Sequence, residues 1–285
     1  MTQPLGLPWN RVVAIAIGFA LIEELLVAPF VGRLFGSPPV ASPLLNRIGW
    51  AMVSAFFVVW ALAFVARRAR ATTEQLFVAL FVILAGLQFA AHAQAAYFFE
   101  PDVSAVRFTG VIVQLLLTST FLAVSAALML GVDSSSRVAH GQTGGFELSD
   151  LQWLWRIPAS GAIYFVLFFA AGLIIWPFVQ DFYTAQLEQQ RLGLLLFEWE
   201  HLNGVWFALI TLPLVRLVPG GWLRAGITAG AALCLIRGIG GLVAPSPYMP
   251  ASIRFWHMFE VGWSNFVYGL AIAYVFLPRR PRAEA

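Results

Sequence analysis

The chain alternates long apolar runs with short polar breaks, and eight runs reach the length needed to cross a bilayer. They are Trp9 to Val31, Ile48 to Ala66, Leu76 to Phe99, Phe108 to Val132, Ile157 to Val179, Leu192 to Val218, Trp222 to Val243 and Ile253 to Leu277. None shows the period-two alternation of a barrel strand. Because backbone groups in lipid must be satisfied within the chain, the pattern predicts helices. The expected fold is all-α, a polytopic membrane bundle of eight transmembrane helices.

The two halves of the pattern match. Pro29-Phe30-Val31 closes the first run and Pro177-Phe178-Val179 the fifth, 148 residues later. Ser104-Ala105-Val106-Arg107-Phe108 opens the fourth run, and Ala251-Ser252-Ile253-Arg254-Phe255 opens the eighth, 147 residues later. Two anchors at nearly one offset predict two tandem four-helix repeats, 1–132 and 157–285, joined by a linker over 133–156. Four helices return a chain to its starting side, so the repeats should be related by an axis along the membrane normal and not inverted. The linker holds Ser134 to Ser136 and Gly144-Gly145, and is expected to be cytoplasmic with a solvated His140. At its end, Ser149 or Asp150 should cap a short interfacial helix carrying Leu151, Trp153, Leu154 and Trp155. Pro158 suits the first turn of the fifth helix, whereas Pro213 should bend the sixth.

Composition agrees with a membrane protein: 60% hydrophobic, 11% charged, mean hydropathy +0.81. All 17 basic residues are arginine. With a cytoplasmic amino terminus, eleven of them fall on the cytoplasmic side and five on the other, with Arg237 inside the seventh helix, so both termini are expected in the cytoplasm. The tandem layout and the stretch His257 to Gly269 resemble bacterial membrane proteins, which implies an inner-membrane location and no particular activity. The net charge of +3 restates the arginine bias and gives no argument for nucleic acid. The single cysteine, Cys234, excludes an intrachain disulfide, and the absence of lysine excludes a Schiff-base cofactor. The amino-terminal run lacks a small-residue cleavage site and is read as a retained helix.

Polar residues are sparse and gather at one depth. In the expected topology Glu23, Glu24, Gln88, His92, Gln94 and Arg237 come late in outward helices. Gln114, Glu198, Glu200, His201, Asn203, His257 and Glu260 come early in inward ones, so all lie in the outer half. Ionisable groups in a membrane are costly and mark a site by default, which predicts a polar cavity open to the extracytoplasmic side. At about 100° per residue, His257, Glu260, Ser264 and Tyr268 form one stripe. Glu198 faces with His201, and Glu200 with Asn203 on another face. Gln88 and His92 share a face with Ala85, Ala91 and Ala95. Arg237 shares one with Gly226, Gly230, Gly240, Gly241 and Ala244, a tight-packing face, and Glu260 is its expected partner. The candidate substrate or ion site is therefore Glu260, His257, Arg237, Glu198, His201, Glu24, His92, Gln88 and Ser264.

Three functions use such residues. The first is a transporter or ion-translocating protein, with Glu and His as coupling groups and Arg237 as a fixed positive charge for an anionic substrate or a carboxylate switch. The second is a metal site from Glu198, His201, His257 and Glu260, or a haem held by two of His92, His201 and His257. The third is a non-catalytic subunit that binds lipid, quinone or pigment, or packs into a homo-oligomer or larger membrane complex. No zinc-protease His-Glu-x-x-His, phosphate-binding Gly loop or Gly-x-Ser-x-Gly elbow occurs, which argues against hydrolase and ATPase chemistry.

Overall fold

The computed structural model describes residues 7–36, 42–98, 103–130, 148–186, 195–246 and 249–277. Among these residues there are eight helical rods and no strand. The rods are α1 (Trp9–Phe35), α2 (Leu44–Ala66), α3 (Thr73–Phe98), α4 (Ala105–Met129), α5 (Asp150–Gln186), α6 (195–217), α7 (Trp222–Gly240) and α8 (Ala251–Phe276). Six of them, α1 to α5 and α7, are long and apolar enough to cross a membrane, which makes the chain a multi-pass membrane protein. The remaining two, α6 and α8, carry Glu200, His201, His257 and Glu260. Residue His140, most of the expected linker and the terminal arginines lie outside the described residues.

Local chemistry explains the helix starts. Ser104 Oγ accepts from Arg107 N at the head of α4. Thr72 with Gln75 before α3, and Ser149 with Gln152 before α5, each form a reciprocal capping box. The short interfacial helix expected after Ser149 is not separate. It forms the first turns of α5, which runs unbroken for 37 residues through Pro158 and Pro177.

The rods are arranged as a pinched ring. Going round it, α1 packs on α2, α2 on α7, α7 on α8, α8 on α5, α5 on α6, α6 on α3, α3 on α4, and α4 back on α1. Renumbering every helix by four leaves this circuit unchanged. Across its middle α3 also touches α7, dividing the ring into two lobes. The two seams between halves use one device: Ser54 Oγ of α2 donates to the Gly240 carbonyl of α7 at 2.5 Å, and Trp206 Nε1 of α6 to the Gly86 carbonyl of α3 at 2.9 Å.

Glycines set the close crossings. A Cβ on Gly269 of α8 would run into the backbone of Gly230 on α7, and one on Gly238 would lie 2.6 Å from Gly262 Cα. On the other side of α8's lobe, a Cβ on Gly204 of α6 would stand 2.9 Å from Gly161 Cα of α5. These backbones touch because no side chain intervenes. Three rods also contain a π-turn, at Glu23–Val27, Leu195–Trp199 and Cys234–Gly240. Each lies beside ionisable residues, and each adds a residue to its turn, shifting the face that follows.

Candidate functional site: two cavities sharing Arg237

The pinch at α3 and α7 separates two cavities. The first, about 520 Å³, is enclosed by α1, α2, α3, α4 and α7. The second, about 400 Å³, is enclosed by α3, α5, α6, α7 and α8. Each is thus walled by helices of one half together with the third helix of the other. Arg237 lines both. Its Nη2 donates to Gln94 Oε1 across the pinch at 3.0 Å.

Polar side chains reach the first cavity from α1, α2, α3, α4 and α7. Glu24 pairs with Arg47 of α2 through a 2.7 Å bond from Nε, the two side chains being 16% and 22% exposed. Glu23 Oε1 accepts from Gln114 Nε2 of α4 at 2.5 Å, while its Oε2 is buried without a donor. Gln88, His92, Asn46 and Thr118 complete the polar wall, and Phe19 and Trp50 are among the apolar residues lining the same space. Although Glu23 and Glu24 point about 100° apart in an ideal helix, they sit in a π-turn and line one cavity with different partners.

In the second cavity, Glu200 is the hub. It is 2% exposed and accepts from Gln94 Nε2 and from Asn203 Nδ2, each at 3.3 Å. Gln94 therefore relays Arg237 to Glu200. Glu260, 5% exposed, is held by His257 Nδ1 at 2.7 Å. Tyr183 joins these groups in the wall, and α5 supplies an apolar surface from Phe168, Phe169, Leu173, Ile175, Trp176 and Val179.

Several expectations are corrected by this geometry. Glu198 lies in the π-turn that opens α6 and is exposed, so the α6 pair facing inward is Glu200 with Asn203. His201 packs on α5 instead, with its Nε2 2.9 Å from where a Gly161 Cβ would stand. The set Glu198, His201, His257 and Glu260 does not assemble, and among the described residues no group of three or more His, Cys, Asp or Glu is placed to hold a metal ion. Of the proposed axial histidines, His92 lines the first cavity and His257 the second, while His201 lines neither. Arg237 bonds to Gln94 in place of the expected Glu260. Ser264 is buried and donates to the Glu260 carbonyl of its own helix at 2.8 Å, and Tyr268 donates to the Gly204 carbonyl of α6 at 2.5 Å, so this end of the stripe is packed between helices and lines neither of the two cavities. Arg47, Asn46 and Tyr183 were not signalled by the sequence, because they flank the apolar runs and look like ordinary interfacial residues.

Compared with protein families, curated proteins and solved structures, the chain matches none of them.

Proposed function

We propose that the protein is a transporter or ion-translocating protein whose two cavities, open to the extracytoplasmic side, handle protons or a cationic solute. The observation that carries this reading is the charge balance. Among the described residues, the carboxylates of Glu23, Glu24, Glu200 and Glu260 line the cavities against the guanidinium groups of Arg47 and Arg237. Carboxylates held away from water need a counter-charge or a proton. His92 and His257 lie beside them as proton carriers, one in each cavity. An anionic substrate bound at Arg237 fits less well, because Arg237 already serves Glu200 through Gln94.

The reading extends to architecture. All eight rods cross the membrane as two tandem four-helix units with both termini in the cytoplasm. This is supported by the circuit of contacts that survives renumbering by four, and by the polar groups gathering at alternating ends of successive rods. α6 and α8 fall short of a purely apolar span because they carry the site.

The test is proton flux. Protein reconstituted into vesicles holding a pH-sensitive dye should, under an imposed inside-negative potential, acidify the lumen several-fold faster than empty vesicles. Glu260→Gln should return the rate to background. Wild-type rates equal to those of empty vesicles would sink the proton form of the reading.

A second reading has one specific observation behind it. The second cavity is walled largely by apolar residues of α5 and ends on Glu200, Arg237 and His257, a shape suited to a quinone or lipid with a polar head.

A further inference from the structure

At the end of the bundle remote from both cavities, arginines converge from two chain segments that are far apart in sequence. Arg67 and Arg68 follow α2, with Arg70 just beyond, and Arg224 lies in the first turn of α7. The Arg70 amide donates to the Leu217 carbonyl at the end of α6 at 2.7 Å, which fixes the α2–α3 turn against the α6–α7 turn. Among the described residues no carboxylate forms an ion pair with any of the four. Glu74, an acid of the first turn of α3, lines a separate groove together with Arg216.

The local structure holds the charges in place. The Arg68 guanidinium lies 3.4 Å over the Phe64 ring and donates to the Phe64 carbonyl. Arg67 Nε is buried without an acceptor. Burial first, and the neighbouring charge of Arg224 second, lower the Arg68 pKa from its ordinary value. Like charges are costly to hold together, and a bound anion relieves that cost. Beside them Gly220 and Gly221, both at positive φ, turn the chain into α7, whose first amides have no side-chain cap. Directly along α7 from Arg224, Leu223 and Ile227 are exposed, giving an apolar strip that begins at the charged cluster.

We propose that Arg67, Arg68, Arg70 and Arg224 bind the phosphate of an anionic phospholipid headgroup, with an acyl chain along Leu223 and Ile227. A phosphate oxygen supplies the acceptor that Arg67 Nε lacks, and guanidinium forks suit it. The adjoining apolar strip favours a lipid over a free ion. A cluster of this kind at the cytoplasmic face would meet a leaflet rich in anionic lipid.

The experiment is native mass spectrometry of the full chain released from detergent, incubated separately with phosphatidylglycerol and phosphatidylcholine. Phosphatidylglycerol should give one well-retained adduct, reduced at least several-fold in R68Q/R224Q, with far less phosphatidylcholine bound. The adduct should survive excess inorganic phosphate. The double variant must first show the wild-type thermal midpoint; if it does not, R70Q, whose side chain is exposed and whose amide bond is kept, replaces it. Equal phosphatidylglycerol adducts in wild type and variant, equal binding of the zwitterionic lipid, or displacement by inorganic phosphate would each overturn the proposal, the last by showing a free-ion site.

Discussion

Arg156, in the second turn of α5, donates from Nη1 to the carbonyl oxygen of Val275 near the end of α8 at 2.6 Å. Arg11, near the start of α1, makes the same bond to Met129, the last residue of α4, at 2.7 Å. The donors are 145 residues apart and the acceptors 146, close to the offsets of the sequence anchors. In each half a guanidinium thus ties the first helix to the free carbonyls at the end of the fourth, where a cation is favoured. A charged hydrogen bond is worth about 1.5–3 kcal/mol when shielded and less when exposed. Arg156→Ala should therefore lower the thermal midpoint in detergent more than Arg11→Ala, whose bond is exposed. Equal shifts would show that shielding does not govern these ties.

The α7–α8 crossing gives a sharper test. Gly269→Ala would drive a methyl group into the Gly230 backbone, which cannot move aside as a side chain could. Overpacking costs about 1–3 kcal/mol and sometimes more. We expect a marked loss of monodisperse protein on gel filtration. Gly49→Ala, which would meet nothing within 4 Å, should behave as wild type.

Removing the shared cation should be costly. Arg237→Gln leaves Glu200 buried with only Gln94 and Asn203 as donors, and breaking a buried pair costs on the order of 3–5 kcal/mol. Because Gln94 stands between the two charges, the coupling should be real but below that of a direct pair. In urea titrations of the single and double variants, Arg237→Gln with Glu200→Gln should be more stable than the sum of the single losses predicts. Strict additivity would deny that the relay couples them.

The adjacent glutamates of α1 should respond in opposite ways. Glu24→Gln weakens the pair with Arg47 and should lower the thermal midpoint. Glu23→Gln removes a buried oxygen that has no donor, and should leave the midpoint unchanged or higher while reducing proton flux. A larger loss of stability from Glu23→Gln than from Glu24→Gln would contradict the charge balance drawn for the first cavity.

The helical class was legible in the sequence, as were many of the polar residues that line the two cavities, because lipid imposes run lengths and makes each polar residue conspicuous. Facing direction was legible only where the helix is regular. On α8 the pairing of His257 with Glu260 follows from spacing alone, and the structure has it. On α6 a wheel drawn at about 100° per residue separates the Glu198–His201 pair from the Glu200–Asn203 pair but leaves open which faces inward, and only the packed structure shows Glu200 as the buried hub. Arg237 lies in a π-turn. Its partner is chosen by a contact between α3 and α7, helices remote in sequence, and no local pattern encodes that choice.

The order of helices round the ring has a consequence for how the chain is made. Helices α1 to α4 on their own form an open arc in the order 2-1-4-3, whose two ends meet only helices synthesised later: α2 awaits α7, and α3 awaits α6. Until α6 emerges, both flanks of the first arc have only lipid against them, and Ser54 and the Gly86 carbonyl lack their partners. Assembly is thereby deferred to the last third of translation, and a ribosome stalled after α5 would release a half-ring whose two seams are open. Such a fragment is a natural substrate for membrane quality control, whereas the finished circle presents no loose end to it.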